Sequence, residues 1–275
     1  MPTISPVSEI SPSASIAEDV EIGPFCVVGP NVKLGPGCRL HSHVVITGHT
    51  TVGANCSFYP HCVIGADPQD KKFHGETTYL EIGDNNQFRE SVSIHTGTKQ
   101  GGRYTRIGHR NLIMGTCHVA HDCQIGNDCI LANGIALAGH CVLGNGVNIG
   151  GLTGTHHYVT IGDYTYIAGL ARIQHDLPPY VRVDHVGRER SINIEGLRRA
   201  GFDPADIEAL TEAWRKLFVG RKPLAVAMTD FVSGDGLNPH VKKLLDALHR
   251  RSTSKYGRYL ESQRPPESFW SGAKK

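Results

Sequence analysis

Aliphatic residues recur every six positions along most of this chain, and that period admits few folds. The series runs through Ile10, Ile16, Ile22, Val28, Leu34, Leu40, Ile46, Val52, Phe58 and Ile64. It returns at Ile82, Phe88 and Ile94. It resumes at Ile107 and continues through Ile113, Val119, Ile125, Leu131, Leu137, Leu143 and Ile149. Thr155 keeps the spacing while breaking the chemistry, and Ile161, Ile167 and Ile173 close the series. A six-residue period specifies a parallel β-helix built from hexapeptides. Each hexapeptide makes one short strand and one turn, and three close a triangular coil. Residues 18 apart then stack, with the aliphatic side chain inward. One coil cannot bury its own core, so the stack must be long. Glycine often follows the aliphatic residue, as at Gly23, Gly53, Gly126 and Gly144. The 32 glycines follow no Gly-X-Y period, which excludes collagen and fits many tight turns.

The eight cysteines test this frame. Cys26, Cys38, Cys56, Cys62, Cys117, Cys123, Cys129 and Cys141 each lie four residues after an aliphatic repeat position. A single phase for all eight is a packing signature of small buried hydrophobes. The chain has no CxxC motif and no visible signal peptide, which argues against zinc ligation and disulfides. No run of 18 apolar residues is present, so no membrane span is expected. A net charge of +2 does not suit a nucleic-acid binder.

Two stretches interrupt the repeat. Residues 66–80 (ADPQDKKFHGETTYL) and 96–106 (TGTKQGGRYTR) read as surface loops, the place where solenoids carry function. After Ile173, Leu177-Pro178-Pro179-Tyr180 breaks the pattern. Residues 193–200, a segment opening at Pro204 with amphipathic Ile207, Leu210, Trp214 and Leu217, and residues 223–232 and 239–250 read as helical. The domain reading is therefore a β-helix over 1–187 and an α-helical domain over 188–275. The polar tail from Ser252 is expected to be partly disordered.

Histidines cluster within the repeat. His118, His121 and Asp122 lie in CHVAHDC, His140 in AGH, and His156 and His157 in GTHHY. With 18 residues per coil, His121, Gly139 and His157 share one column, and Asp122, His140 and Tyr158 the next. A seven-residue insertion in 96–106 would place His95 beside Ala120. Such convergence suits acid–base chemistry, because imidazole titrates near neutrality. His121 with Asp122 supplies a base and its orienter, and Gly139 lets a carbonyl approach a backbone N–H. No serine-centred nucleophile motif is evident, so direct transfer fits better than a covalent acyl-enzyme. Metal binding is the rival chemistry, since three histidines can hold zinc.

The segments IGPFCVVGPNV, HSHVVITGHTTVG, PQDKKFHGE, RESVSIHTGT, HVAHDCQIGNDCILAN, LAGH, QHDLPPY and NIEGLRRAGF carry a resemblance to the UDP-N-acetylglucosamine O-acyltransferases. These are left-handed hexapeptide-repeat enzymes of the first step of lipid A synthesis. The resemblance covers roughly residues 10–250, and HVAHDC, LAGH and NIEGLRR in order are its specific part. It implies a mainly β fold, a left-handed parallel β-helix followed by a small α-helical C-terminal domain. The left hand comes from the resemblance alone, since the general crossover rule gives a right hand. The reaction implied is transfer of a 3-hydroxyacyl group from acyl carrier protein to the 3-hydroxyl of UDP-N-acetylglucosamine.

By the same resemblance His121 is the general base, Asp122 its orienter and Gly139 the oxyanion position. Asp70, Lys72, His95, His118, His140, His156 and His157 match substrate contacts. Asn193, Glu195 and Arg199 match the nucleotide-recognising segment. Lys72 and Arg199 suit a diphosphate. Gly169 matches the position that limits acyl-chain length, and glycine there implies a long chain. The implied enzyme is a cytoplasmic homotrimer with sites between subunits and no stable membrane insertion. It needs no metal and no cofactor beyond the phosphopantetheine of its donor.

Departures from the family pattern fall on specificity. His157 stands where glutamine is usual, DKKFHGE replaces DLKYxGE, and Arg188, Glu189 and Arg190 precede NIEG. Ala200 replaces a common basic residue. A 3-amino sugar acceptor, a diverged or non-catalytic trimer, and a zinc-binding β-helix trimer remain alternatives. The related N-acyltransferases carry a nucleotide-binding domain ahead of the repeat, whereas here the repeat begins by Ile10.

Overall fold

The computed structural model describes residues 1–219, 222–231 and 237–264. The repeat forms a left-handed stack of triangular coils whose three faces are sheets of 11, 9 and 8 strands. On the first face Ile113 pairs with Leu131, on the second Val119 with Leu137, and on the third Ile125 with Leu143. The pairing is parallel at a register of eighteen residues. Most strands are two residues long, far too short to persist alone. They persist because each pairs with a coil above and a coil below, which satisfies its backbone groups. The inner aliphatic positions form continuous ladders. Ile46, Phe58, Ile64, Ile94, Ile113, Leu131 and Ile149 are all 0% exposed. Phe58 and Phe88 stack with ring centroids 4.9 Å apart.

Most corners repeat one conformation. The residue three after most repeat positions from Ile22 onward is left-handed, as in Asp122 (φ 62°), His140 (φ 63°) and Tyr158 (φ 64°). This conformation costs an L-residue about 1–2 kcal/mol. A sharp corner is needed every six residues, and the stack recovers the cost through the ladders that the corner makes possible.

The next residue is the cysteine phase. All eight cysteines are fully buried and free. Each thiol points at the carbonyl that follows the aliphatic residue of the next coil. Cys117 reaches Ala132 O at 3.0 Å, Cys129 reaches Gly144 O at 3.1 Å, and Cys141 reaches His156 O at 3.3 Å. Cys56 and Cys62 do the same across the first insertion, to Gly83 O and Arg89 O. The thiol is a small apolar filler that also acts as a weak donor. Asn86 takes the same phase and donates to Gly108 O at 2.8 Å. Burial pushes the Cys62 thiol up to about 11 and the Cys129 thiol up to about 12.

Both insertions leave the stack at one corner, between the second and third faces. Ser93 pairs with Val63 thirty residues earlier, and His118 with Ser93 twenty-five residues earlier. The insertions therefore add twelve and seven residues to the usual eighteen. Their margins are shorter than the interruptions in the sequence pattern. Ala66, Tyr79 and Leu80 belong to strands, as do residues 104–106. Leu80 and Thr105 are completely buried. The aliphatic phase misses them because these strands are four residues long instead of two.

The parallel stack ends with Val181–Val183, and Glu189–Ile192 adds an antiparallel strand to the first face. Helix α1 (Ile194–Arg199) follows, capped by Asn193. Helix α2 (Pro204–Trp214) has proline in its first turn and an Asp203 cap, and runs into a π-helical turn over Arg215–Val219. Helices α3 (Leu224–Thr229) and α4 (Pro239–Ser252) complete the small domain around Ile207, Leu210, Leu217, Val241, Leu244 and Leu248. Residue 232, within the helical segment expected at 223–232, lies outside the described residues.

The polar segment after Ser252 is folded over its described part. A 3₁₀ turn (Lys255–Gly257) and helix α5 (Tyr259–Ser262) fold back onto the last coil through buried Arg258 and Asp176. A polar composition did not reveal this docking, because its partners are polar groups of the coil. The remaining tail, 265–275, lies outside the described residues.

Thiol accessibility tests the cysteine assignment. None of the eight thiols should react with an aromatic disulfide reagent in the folded protein, and all eight should react after denaturation. Rapid reaction of any one in the native state would contradict its place in the core.

Candidate functional site

The corner that carries both insertions also gathers the histidines. His140 N–H donates to His121 O at 3.0 Å, and Tyr158 N–H donates to Gly139 O at 3.1 Å. These bonds fix the two expected columns, His121–Gly139–His157 and Asp122–His140–Tyr158. His95 lies in register with Ala120, since Ile94 pairs with Val119. The left-handed corner position presents Asp122, His140 and Tyr158 side by side. His140 and Tyr158 stack at 4.2 Å, and His121 meets His140 edge-on at 5.0 Å.

Asp122 anchors the site. Its side chain is 1% exposed. It accepts from the Thr98 backbone N–H and the Thr98 hydroxyl, both at 2.7 Å, and pairs with His121 Nδ1 at 2.8 Å. A carboxylate only accepts, so the proton of this pair sits on His121 Nδ1 and the lone pair on Nε2. Thr98 comes from the second insertion. Gly101 of the same loop packs so closely that a Cβ there would lie 2.0 Å from the Asp122 carboxylate. The Asp122 N–H is taken by Thr105 Oγ1 at 2.8 Å. Thr98 and Thr105 were not among the residues singled out from the sequence. Their only signal was position, in an insertion that returns to the histidine corner.

Gly139 abuts the His121 ring. A Cβ at Gly139 would lie 2.6 Å from His121 Cε1 and 2.8 Å from Nε2. Glycine is thus required for the imidazole to lie flat over this corner. Gly139 is buried, and among the described residues no hydrogen-bond acceptor meets its N–H. A donor of this kind takes water or a bound group.

The surrounding imidazoles are held and partly desolvated. Burial lowers the His140 pKa to about 4, despite Asp122 Oδ2 lying 3.6 Å from its Nδ1. His140 is therefore neutral above about pH 5 and leaves the Asp122 charge to His121. His118 contacts Ser93 Oγ at 2.9 Å, and its pKa is lowered by burial and then by His95 and His121. His95 is 6% exposed and donates through Nδ1 to Asp67 O of the first insertion at 2.5 Å. In that insertion Asp70 Oδ1 accepts from Lys72 N–H at 3.0 Å. His156 contacts the carbonyl of His157 through Nδ1 at 3.1 Å.

The remaining sequence candidates lie elsewhere in the chain. Asn193 sits at the corner between the third and first faces, where its amide donates to Tyr164 O at 2.9 Å while capping α1. Glu195 and Arg199 form an exposed ion pair at 3.3 Å on α1. Gly169 is exposed on the corner between the first and second faces, and a Cβ there would meet Gly151 O at 3.2 Å. The candidates thus occupy all three corners of one prism. A single site that uses all of them must be assembled from neighbouring chains.

Among the described residues two groups have donor atoms close enough to share a metal ion, each within 4.8 Å: His121, Asp122 and His140, and His156, His157 and Glu261. In the first, both Asp122 oxygens are already bound by Thr98 and one faces His121 Nδ1–H. Metal there would displace those bonds.

Known proteins share this sequence and fold. Residues 176–257 match the family model for domain 2 of UDP-N-acetylglucosamine O-acyltransferase, and residues 13–48 and 104–134 match the bacterial transferase hexapeptide repeat. The acyl-[acyl-carrier-protein]–UDP-N-acetylglucosamine O-acyltransferase of Xanthomonas euvesicatoria pv. vesicatoria is 44% identical over 249 residues, 90% of this chain and 95% of its own. The crystal structure of UDP-N-acetylglucosamine O-acyltransferase from Moraxella catarrhalis superposes with a TM-score of 0.84 at 38% identity, covering 95% of this chain and 98% of that one. The Francisella novicida UDP-N-acetylglucosamine acyltransferase gives 0.87 at 33% identity, with 93% of each chain covered.

Buried His140 ties stability to pH. Its folded pKa of about 4 lies below the ordinary 6.5, so the unfolded chain binds the extra proton between these values. Stability should be level above pH 6.5 and should fall as the pH drops from 6.5 towards 4. Denaturant titration of the wild type and of His140→Asn checks this. An equal slope in both proteins would remove His140 as the cause.

Proposed function

The chain belongs to the UDP-N-acetylglucosamine O-acyltransferase family, and from that membership we propose that it moves a 3-hydroxyacyl group from acyl carrier protein to the 3-hydroxyl of UDP-N-acetylglucosamine, the first step of lipid A synthesis. One observation carries the mechanism: the His121–Asp122 pair lies directly against Gly139, whose N–H lacks an acceptor among the described residues. A base and an oxyanion donor are thus held side by side.

His121 Nε2 takes the proton of the sugar 3-hydroxyl as its oxygen attacks the thioester carbonyl. The Gly139 N–H stabilises the negative oxygen of the tetrahedral intermediate. Collapse breaks the carbon–sulfur bond, and the departing thiolate takes the proton back from His121. Asp122 holds the imidazole in the required tautomer and stabilises its cation. Transfer is direct, with no covalent acyl-enzyme and no metal or cofactor beyond the carrier's phosphopantetheine. His95, His118, His140, His156, His157 and Asp70 line the substrate groove, and Lys72 supplies charge to the diphosphate.

Asn193, Glu195 and Arg199 recognise the nucleotide from a neighbouring subunit. The observation behind this is their separation from His121 on another corner of the same chain. A homotrimer with three shared sites follows. Gly169 leaves the end of the acyl groove open and so admits a long chain. No helix among the described residues is long and apolar enough to cross a membrane. We place the enzyme in the cytoplasm with its carrier-protein donor.

An acyl-transfer assay with 3-hydroxyacyl carrier proteins of several lengths and UDP-N-acetylglucosamine tests the proposal. His121→Ala should lower kcat by about 10²–10⁴-fold, the usual worth of a general base. Full turnover in that variant would sink the assigned role. Gly169→Met should move the preferred donor to shorter chains, and an unaltered length profile would remove Gly169 as the ruler. Exhaustive chelation should leave the rate unchanged. Light scattering should give the mass of three chains, and a monomer with full activity would refute the shared site.

A further inference from the structure

The family match ends at Gly257, yet the chain beyond it is built onto the histidine corner. Asp176 N–H donates to Gly257 O, and Tyr259 N–H donates to Asp176 Oδ2, both at 2.8 Å. Arg258 is only 8% exposed. Its guanidinium donates to Gln174 O at 2.7 Å and to the Glu261 carboxylate. These bonds hold α5 so that Glu261 Oε1 lies 3.4 Å from His157 Nε2. The Arg264 guanidinium lies 5.0 Å above the Tyr158 ring, which stacks on His140. A segment beyond the domain-2 model match therefore closes one wall of the candidate groove.

His157 is the next residue after Gly139 along its column, on the side away from His121. The inference rests on the acyl-transfer reading, in which the sugar hydroxyl approaches the carbonyl from the His121 side. The other substituents of the carbonyl carbon then lie towards His157. Gly169, on the corner between the first and second faces, lies twelve residues further along the stack in the same direction, so in a site shared between chains the acyl chain runs past this wall. Coils are spaced by about 4.8 Å. A hydroxyl two carbons along from the carbonyl is then within one coil spacing of the His157 ring, close enough for a hydrogen bond. With Nε2 turned to the Glu261 carboxylate, the imidazole proton sits on Nε2 and Nδ1 keeps its lone pair as an acceptor.

We propose that Glu261 is a positioning residue for donor specificity: it orients His157 to accept a hydrogen bond from the C3 hydroxyl of the acyl group. A donor without that hydroxyl leaves the imidazole lone pair desolvated and unpaired, which disfavours it. Glu261 touches no reacting atom and acts only through His157.

The test compares kcat/KM for a 3-hydroxyacyl carrier protein and for the unsubstituted acyl carrier protein of equal length. The wild type, Glu261→Gln, His157→Phe and the double variant are assayed with the full chain. The wild type should prefer the hydroxylated donor, and each single variant should lose about tenfold of that preference, the worth of one hydrogen bond. The double variant should lose no more than either single one, because both act through one imidazole. A preference ratio unchanged in Glu261→Gln overturns the proposal, as does an equal loss of rate with both donors. Additive losses in the double variant also overturn it. If the wild type transfers no carrier-borne acyl group, the acyl-transfer reading fails and takes this inference with it. Transfer with an unaltered ratio overturns this inference alone.

Discussion

The eighteen-residue register of the parallel ladders is the constraint on which the rest of the molecule depends. Two-residue strands have no stability of their own, so each is held by its neighbours along the axis. The register fixes which side chains form a column, and it repeats the same corner in coil after coil. It also decides where the chain can lengthen. Extra residues in a face would break two ladders, whereas extra residues at a corner only extend a turn. Both insertions leave by the same corner, and the ladders close again beneath them without a slip in the core phase.

That corner becomes chemical through what the insertions bring back to it. The stack alone provides His121, Asp122 and Gly139 in adjacent positions. The second insertion adds Thr98, whose two donors tie down the Asp122 carboxylate and aim it at His121. The first adds a carbonyl from Asp67, which orients His95. Burial then separates two imidazoles that share one carboxylate. His140 is driven neutral, and His121 keeps the short contact. The same polar group would be a liability in an unsatisfied core, and here every oxygen of Asp122 has a partner.

The small helical domain belongs to the end of the stack more than it stands beside it. Lys243 of α4 meets Asp163, Arg251 meets Glu189, and Tyr180 meets His240 at 3.1 Å. Phe202 packs edge-on against Tyr164 and Tyr180. These contacts cap the last coil, where an open ladder would otherwise expose its backbone. From this base α5 reaches round to His157, so the cap also shapes the groove. The distribution of candidate residues over three corners gives the helical domain a second use, since α1 presents Glu195 and Arg199 outward, away from its own chain's histidines.

Much of this was legible in the residues themselves. Period six specifies coils, the cysteine phase specifies the interior, and counting by eighteen places His121, Gly139 and His157 in one column. These features are local or strictly periodic, and a regular solenoid converts sequence distance directly into spatial distance. The resemblance to a family supplied the hand and the roles, which no spacing contains. What required the tertiary structure was aperiodic. Thr98 lies in a glycine-rich loop with no repeat phase, and nothing in TGTKQGGR says that its hydroxyl returns to Asp122. The segment after Ser252 reads as a polar tail because its docking relies on hydrogen bonds and a buried arginine, which leave no hydrophobic pattern. Sequence alone determined the coils and their columns, because repetition fixes register. Only the folded chain decided which loop and which terminus close on the histidine corner, because those contacts join residues with no periodic relation.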